Sequence, residues 1–562
     1  MPVCCNDNFV KKTNFTLMRK KTCILIFIFV SLYNTSNSQW ASLYNYGINT
    51  TDYPTGIALD QSGNTYVCGC SFSTAQESNY ILIKYNLSGD TVWSRQYNGN
   101  ISGEDESNAI AIDNESNVLI TGRSESSTGY DIYTIKYSSS GDMLWSKRFN
   151  GSGSGSNAAY SIATDDSLNV YIAGKIETTV NVYAISLIKY NKSGVLQWAK
   201  QFNGNNTGTN IPNAMTVNGI SGNIYLTGYI STVNQGKDIV ILKYNRNGSL
   251  IWQKLINGSF SGDDIGNSIS TDPDENVYFT GSVTVGANNN TDFITSKYNS
   301  AGDSLWSVNY SGASGGTDIS RAVTVDNLGN SFVTGESYSG SGSVTNEIAT
   351  ICYSSSGIIK WISKYNNNNN CCNHIPVSLA SDQKGNIIVS GKSTGSSNFN
   401  DFIVLKYNNI SGTQSGVYRY RFQGTNDNDV KSMAIDKNGS CYLTGLVSSN
   451  GAIKIGTVKV INSAIGIENI TKKVQGMKMS LTSYPNPFNS FTKIKFEVSA
   501  PGNALLEITD LSGKSIFRIL KSGIASGSYE YLWDAASFPS GIYFCRLTSG
   551  KFTLTKKIIL MK

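Results

Sequence analysis

The sequence predicts an all-β protein, an eight-bladed β-propeller followed by a small Ig-like β-sandwich, with seven blades as the alternative count. Three observations predict this fold: a tryptophan-centred repeat of about 53 residues, short β-branched and aromatic segments separated by Gly, Asn, Asp and Ser, and loss of the repeat near residue 481. The chain has 562 residues, of which 40% are hydrophobic and 15% charged. It therefore has enough apolar side chains for a core, and disorder throughout is excluded.

The repeat is centred on a tryptophan that recurs seven times, and Tyr418 takes the eighth place. Each centre is followed by a turn rich in Asp, Gly and Asn, a strand that ends in Gly, and a Lys-Tyr-Asn-like segment. Repeats of this length are typical of propeller blades. The tryptophans stand at positions 40, 93, 145, 198, 252, 306 and 361. On outer strands of this kind we expect them to pack blade against blade.

Each copy is predicted to form four strands, and in the second copy these are residues 108–112, 117–122, 131–137 and 143–147. A four-stranded sheet of this size cannot bury both faces alone, whereas sheets arranged around a ring bury them and shield most edges. The last copy, at about 426–461, lacks its outer strand. We expect the segment from Trp40 to Tyr46 to supply that strand and close the ring.

The motifs Asp60-Gln-Ser-Gly-Asn-Thr-Tyr-Val-Cys-Gly69 and Ile83-Lys-Tyr-Asn86, running on to Trp93, recur along residues 40 to about 461. This stretch resembles the SBBP family of β-propeller repeats. The resemblance implies a propeller fold, and it implies no catalytic residues.

The N-terminus has the pattern of a secretory signal. Five basic residues precede an apolar run of 11 residues, 23–33, which is too short to span a membrane. We therefore expect residues 1–38 to be a signal peptide, 39–463 the propeller, 464–480 a linker and 481–562 the C-terminal domain. No transmembrane segment is expected in the mature chain. Removal of 1–38 lowers the net charge from +6 to +2, because five basic residues and one acidic residue leave, and nothing indicates nucleic-acid binding.

The C-terminal segment opens with Tyr-Pro-Asn-Pro-Phe-Asn, continues through Asp-Leu-Ser-Gly-Lys and Ser-Gly-Ile-Tyr-Phe, and ends in Lys-Lys-Ile-Ile-Leu-Met-Lys. It is similar to the type A sorting domain of the type IX secretion system of Bacteroidota. The resemblance implies recognition by the translocon, export, and a secreted or outer cell-surface location. The matching residues are Tyr484, Pro485, Asn486, Pro487, Gly541, Tyr543, Lys556 and Lys557.

Carboxylates in the connections between repeats are the candidate binding residues of the propeller. In a propeller these connections share one face with the connections between second and third strands. An acidic ring there would bind a cationic partner or Ca²⁺, although no cofactor and no metal site is required by the sequence. The structural alternative is that these polar residues bond their own backbone. The candidates are Asp52, Asp105, Asp264, Asp318 and Asp427.

The sequence thus favours a secreted or cell-surface binding or scaffold protein without catalysis, whose loop face binds a protein or a glycan. The alternative is a secreted polysaccharide-active enzyme with carboxylates in the propeller funnel. Such an enzyme needs two carboxylates about 5–10 Å apart at one centre. A third interpretation is a purely structural display scaffold.

Overall fold

The computed structural model describes residues 39–562 except 46–50, 73–76, 100, 102, 152–154, 205–207, 233–235, 287, 289, 314–315, 341–345, 368–372, 396–398, 450, 467–479, 499–501, 526 and 550–551. The predicted signal segment, 1–38, lies outside the described residues. The chain divides into two compact units between residues 469 and 470, inside the predicted linker. In the described ranges, no helix has the length and apolar character needed to cross a bilayer.

The first unit is built from short antiparallel strands. Its first half contains β1 (Trp40–Tyr44), β2 (Thr51–Leu59), β3 (Thr65–Phe72), β4 (Ser78–Tyr85), β5 (Thr91–Tyr97), β6 (Asp105–Ile112), β7 (Val118–Ser126), β8 (Gly129–Tyr137), β9 (Met143–Phe149), β10 (Ala158–Thr164), β11 (Val170–Thr179), β12 (Val182–Tyr190), β13 (Leu196–Phe202), β14 (Ile211–Val217), β15 (Ile224–Thr232), β16 (Gly236–Tyr244) and β17 (Leu250–Ile256). Its second half contains β18 (Gly262–Asp263), β19 (Ile265–Thr271), β20 (Val277–Thr284), β21 (Thr291–Tyr298), β22 (Ser304–Tyr310), β23 (Ile319–Val325), β24 (Ser331–Tyr338), β25 (Asn346–Tyr353), β26 (Ile359–Tyr365), β27 (His374–Ser381), β28 (Ile387–Thr394), β29 (Asn400–Tyr407), β30 (Gln414–Tyr420), β31 (Asn428–Ile435), β32 (Cys441–Ser449) and β33 (Ala452–Val460), followed by a 3-10 helix (Asn462–Gly466).

These strands form eight four-stranded sheets within the described part of the unit, here called blades 1 to 8 in chain order. Blades 1 to 7 each use four consecutive strands, starting at β2, β6, β10, β14, β19, β23 and β27; the two-residue β18 adds to blade 4. The first strands of neighbouring blades lie side by side around the whole circle, including β31 beside β2. The first strand of each blade is therefore the innermost one, and the unit is a β-propeller.

The N-terminal strand closes the ring, as the sequence predicts. Blade 8 has the order β1-β33-β32-β31, and β1 pairs with β33 from Trp40 opposite Lys459 to Tyr44 opposite Ile455. Trp40 and Tyr44 pack into one cluster with the core of blade 1 and with Tyr442 of blade 8. The outer strand of the last blade thus comes from the other end of the unit.

The recurring tryptophans hold neighbouring blades together. The indole of Trp145 lies over Gly194, in the turn between the third and fourth strands of the next blade, and donates from Nε1 to the Lys192 carbonyl at 3.1 Å. Gly194 has a φ of 76°, and a Cβ at this residue would come within 2.8 Å of the ring. The repeated Trp of one blade therefore packs on the repeated turn Gly of the next blade.

The recurring Asp caps the turn between the first and second strands. The Oδ1 of Asp113 accepts from the N–H groups of Glu115 and Asn117, at 3.0 and 2.9 Å. Its Oδ2 lies 2.7 Å from the Nζ of Lys136, and both side chains are almost wholly buried. The Asp turn and the Lys-Tyr segment of the repeat thus form a buried ion pair.

The second unit is a two-sheet β-sandwich. Its strands are β34 (Ser480–Tyr484), β35 (Phe491–Val498), β36 (Gly502–Thr509), β37 (Ser515–Ile524), β38 (Gly527–Asp534), β39 (Gly541–Ser549) and β40 (Phe552–Leu560). One sheet has the order β34-β35-β38 and the other β37-β36-β39-β40. Their inner faces bury a core around Trp533, as expected for alternating strands of a sandwich.

Candidate functional site

Two faces of the propeller unit differ in the connections that they carry. The hairpins between second and third strands and the connections from one blade to the next lie on one face, here called the loop face. The turns between first and second strands and between third and fourth strands lie on the opposite face, here called the turn face. The assignment follows from the antiparallel order within each blade.

Four of the five predicted acidic residues occupy one repeated, buried position. In each blade, the Gly of the second strand pairs with a residue of the first strand, and the repeated position lies two residues before that partner. In all eight blades the residue at this position is at most 1% exposed. From blade 1 to blade 8 these residues are Asp52, Asp105, Asn157, Asn210, Asp264, Asp318, His374 and Asn428.

The carboxylates at this position bind backbone N–H groups. Asp318 accepts from Gly312 in the connection between blades and from Tyr338 at the end of the second strand, both at 2.9 Å. Asp105 accepts from the N–H of Gly99 at 2.6 Å. Each of these two side chains thus holds a loop of the loop face in place, which favours the structural alternative over an exposed acidic ring.

Burial also changes the acidity of these groups. Desolvation raises the pKa of Asp264, and its hydrogen bonds from the Thr284 and Gly258 N–H groups act in the opposite direction. Desolvation by burial also raises the pKa of Asp105.

Asp427 is the member of the predicted set that lies on the surface. It is exposed, and its Oδ1 accepts from the N–H of Asn400 at 3.0 Å. Its neighbour Asn428 occupies the repeated buried position instead. The described structure therefore does not bring Asp427 together with the other four carboxylates, and a binding role for it stays a prediction.

A different group of side chains lies on the first three strands of blades 2 to 4, toward the loop face. The sequence analysis did not single out these residues, because they are spread over 107 positions and no motif marks them. We call them the loop-face cluster: Arg123, Tyr130, Tyr160, Lys175, Tyr183 and Tyr229. All six are partly buried.

Cations of the cluster stack on its aromatic rings. The Arg123 guanidinium lies 4.5 Å from the Tyr130 ring centre, and the Lys175 Nζ lies 4.2 Å from that of Tyr183. In blade 4 the Nζ of Lys237 lies 5.0 Å from the Tyr229 ring. Three successive blades thus each place a cation over a tyrosine ring. Each such contact contributes about 0.5–2 kcal/mol.

The cluster contains one cation without an ion pair among the described residues. Arg123 pairs with Glu106 at 3.0 Å and with Glu104 at 3.2 Å, whereas Lys175 has no carboxylate within ion-pair distance there. Burial, and then the positive charge of Arg123, lower the pKa of Lys175, while Glu177 acts in the opposite direction. A ligand that offers acceptor oxygens to Lys175 would stabilise the charged form of this side chain.

Tyrosine hydroxyls supply further hydrogen-bonding groups. Burial raises the pKa of Tyr160 to about 12, with the neighbouring Tyr229 acting in the same direction. Burial, together with a 2.8 Å hydrogen bond to Glu104, raises the pKa of Tyr130 to about 12. Both hydroxyls therefore stay protonated at neutral pH. Tyr130 donates its proton to Glu104, and Tyr160 can donate to a ligand.

Carboxylates toward the loop face of other blades are engaged in ion pairs. Glu336 pairs with Arg321, and Asp429 pairs with Lys392 at 3.3 Å and with Lys431 at 3.0 Å. Within the described ranges, no group of three or more His, Cys, Asp and Glu side chains is arranged to hold a metal ion.

In the second unit, the predicted motif residues meet at the last strand. Asn486 donates from Nδ2 to the Lys557 carbonyl at 3.0 Å, and its Oδ1 accepts from the Ile559 N–H at 2.8 Å. Pro485 accepts from the Thr492 hydroxyl at 2.7 Å. The Pro-Asn-Pro loop is thereby fastened to β40.

The other motif residues divide between core and surface. Tyr543 is buried against Trp533, and its hydroxyl donates to the Pro539 carbonyl at 2.7 Å. Gly541 pairs with Leu560 at the start of β39. The side chains of Tyr484, Lys556 and Lys557 are exposed, and Pro487 is exposed beside them.

The two units define an exported β-propeller protein. Residues 482–561 match the family model of the secretion system C-terminal sorting domain, and residues 39–71 and 92–130 match that of the Beta-propeller repeat. The chain therefore carries SBBP-type repeats and a type IX sorting domain. The sorting domain directs export by the type IX secretion machinery and indicates a secreted, outer cell-surface location.

Other similar proteins include a curated viral relative. The uncharacterized WD repeat-containing protein L264 of Acanthamoeba polyphaga mimivirus is 26% identical over 335 residues, which are 52% of this chain and 21% of that protein. The chain thus matches only about a fifth of the length of this relative.

Two solved structures show the range of structural similarity. Saccharomyces cerevisiae Sqt1 has 9% identity and a TM-score of 0.46, covering 76% of this chain and 100% of that one. PorZ, a surface component of the type IX secretion system of Porphyromonas gingivalis, has 11% identity and a TM-score of 0.30, covering 91% of this chain and 81% of that one.

Proposed function

We propose that this protein is a non-catalytic binding protein of the outer cell surface whose propeller binds a glycan or a protein segment through the loop-face cluster. The observation that carries the proposal is the pair of neighbouring cations, Arg123 and Lys175, held among four tyrosines on the loop face. Arg and Tyr are enriched at binding surfaces because they combine a large contact area with hydrogen-bonding groups.

The chemistry of the cluster fits a ligand rich in hydroxyl or carboxylate oxygens. Lys175 and the Tyr160 hydroxyl supply donors on blade 3, and the tyrosine rings supply apolar contact. Near the cluster, Glu104 and Glu106 pair with Arg123. Glu177 and Glu125 instead accept hydrogen bonds from backbone N–H groups. All four carboxylates are thus engaged within the protein, which disfavours the pair of free carboxylates that glycoside hydrolysis needs.

The test uses the purified full-length protein on a glycan array and in pull-downs from the culture medium of its host. Lys175→Ala removes a charged donor, which weakens binding by about 10-fold or more. The matched control is Lys437→Ala, an exposed lysine on the turn face of blade 8.

The pattern of binding decides between the ligands. Glycan binding that is lost in Lys175→Ala but kept in Lys437→Ala supports a glycan, and the same pattern with one co-purified protein supports a protein segment. Equal binding by both variants, or turnover on a panel of polysaccharides, would overturn the proposal.

A further inference from the structure

The turn face of the propeller exposes large apolar side chains. Among the described residues of the first unit, four of the five most exposed large hydrophobic residues lie in turns of this face. They are Ile220 (85% exposed), Leu328 (80%), Ile410 (74%) and Ile358 (69%). Single exposed apolar residues are normal, but repeated exposure on one face of a molecule indicates an interaction surface.

Leu328 and Ile358 belong to blade 6 and Ile410 to blade 7, whereas Ile220 lies in blade 4. The outer edges of blades 3 and 4 expose further apolar side chains near Ile220. The fourth strand of each blade follows directly on a turn of the turn face, and apolar residues one to three positions before its tryptophan are exposed. In blade 3 these are Val195 and Leu196, and in blade 4 they are Leu250 and Ile251. Leu196 and Leu250 both stand two residues before the tryptophan of their blade and therefore lie at the same height, so one flat surface can contact both.

Basic residues alternate with these apolar ones. Lys192 and Arg246 are exposed in the turns before the two strands, and Lys200 and Lys254 follow the two tryptophans. The four outer strands β5, β9, β13 and β17 contain five basic residues and no acidic residue. Acidic residues beside this region include Asp166, which is exposed and whose N–H donates to the Gly219 carbonyl, and the half-buried Glu275, which accepts from Asn223 at 2.8 Å.

Contacts between the blades hold these groups in a fixed arrangement. Trp198 donates to the Arg246 carbonyl at 3.2 Å, and the stem of Lys200 lies over Gly248 of the same turn. Arg246 in turn donates to the Ile220 carbonyl at 3.0 Å. The exposed apolar and basic groups of both blades therefore sit on one rigid framework.

We infer that the turn-face edge of blades 3 and 4 binds an anionic lipid surface. An apolar face that inserts among lipid headgroups, flanked by cations that contact their phosphates, is the general pattern of interfacial membrane binding. The lysines by themselves are explained by the need to protect edge strands from aggregation. That need does not explain the exposed Val, Leu and Ile beside them. The sorting domain already takes the protein to the outer cell surface, where such a surface is present.

The experiment measures cosedimentation of the full-length protein with vesicles of three parts phosphatidylcholine to one part phosphatidylglycerol. A variant with Lys192→Gln, Lys200→Gln and Lys254→Gln should bind about 100-fold more weakly, because each cation near an anionic surface contributes about fivefold. A variant with Val195→Ser, Leu196→Ser, Leu250→Ser and Ile251→Ser should also lose binding. Vesicles of phosphatidylcholine alone should bind weakly.

The matched control is Val180→Ser, which changes a more exposed apolar residue of blade 3 on the loop face, 84% exposed. This variant should bind vesicles as the parent protein does, and thermal melting checks that every variant folds. Binding that survives both multiple variants would place lipid contact elsewhere, for example on the sorting domain, and would overturn the inference. Self-association in the absence of lipid that both variants abolish would also overturn it, in favour of a contact between copies of the chain.

Discussion

Replacement of Trp40 tests whether the N-terminal strand closes the propeller. The Trp40 ring lies 5.7 Å from the ring of Tyr85 in blade 1 and 6.2 Å from that of Tyr442 in blade 8. It also covers Gly89 in the turn of blade 1, the same contact that the other tryptophans make with the next blade. Trp40→Ala removes these contacts at the one seam where the two blades are distant in sequence.

The magnitude follows from burial and hydrogen bonding. A fully buried Trp→Ala change costs about 3–5 kcal/mol. Trp40 is only partly buried, so we expect about 2–3 kcal/mol. No acceptor for its Nε1–H lies among the described residues, so no hydrogen bond is lost. Trp40→Phe keeps a ring over Gly89 and removes that buried donor, so its cost should be below about 1 kcal/mol.

The assay is native-state amide hydrogen exchange of residues 40–44 and of their partners 455–459 in β33. Destabilisation of the seam by about 2–3 kcal/mol accelerates exchange there by about 30- to 160-fold, while blades 3 to 5 keep their protection. Trp40→Phe should leave exchange nearly unchanged. If Trp40→Ala accelerates exchange equally in all blades, or nowhere, the closure argument fails.

Three further predictions concern buried polar groups. Lys136→Met leaves the Asp113 carboxylate buried without its cation, so the free energy of unfolding should fall by about 3 kcal/mol, measured by denaturant unfolding. Burial raises the pKa of Asp264 above 3.8, so over a range of pH the folded protein keeps this carboxyl protonated while the unfolded chain has lost the proton. The contribution of Asp264 to the free energy of unfolding therefore falls as pH rises from 3.8 through the folded pKa. Asp264→Asn should remove that part of the pH dependence. Asn486→Ala removes two hydrogen bonds to β40, so the sorting domain should lose about 2 kcal/mol and less protein should reach the cell surface, measured by fractionation.

Matched exposed residues provide the controls. Lys437→Met should not change the free energy of unfolding, and equal loss in Lys437→Met and Lys136→Met would contradict the buried-pair argument. A parent and an Asp264→Asn protein with the same pH profile of stability would contradict the raised pKa. Asn489→Ala, at an exposed asparagine three residues after Asn486, should leave export unchanged.

Much of the fold is predictable from local sequence. The Trp, the Asp turn and the Lys-Tyr segment recur at fixed spacing, and each makes the same contact in successive blades, such as Trp145 over Gly194 and Lys136 with Asp113. The opening Pro-Asn-Pro and the closing Lys-Lys-Ile-Ile-Leu stretch likewise meet in one strand contact at Asn486. A contact that the same residues make in successive repeats can therefore be predicted from the sequence.

The candidate sites were less predictable. Asp105 and Asp318 look like exposed loop carboxylates in the sequence, but backbone N–H groups of two connections converge on them and bury them. Arg123 and Lys175 are 52 residues apart and occupy the same position after the strand Gly in adjacent blades. Only the closeness of blades 2 and 3 makes them neighbours.

The sequence by itself determined that this protein is an exported propeller with an N-terminal closing strand and a C-terminal sorting domain, because those features depend on periodicity and on short contiguous motifs. Tertiary structure alone decided which polar side chains are buried, which apolar ones face solvent, and which cations stand together. The physical reason is that exposure and electrostatic surroundings are set by neighbours from other blades, and the order of residues along one strand does not specify those neighbours.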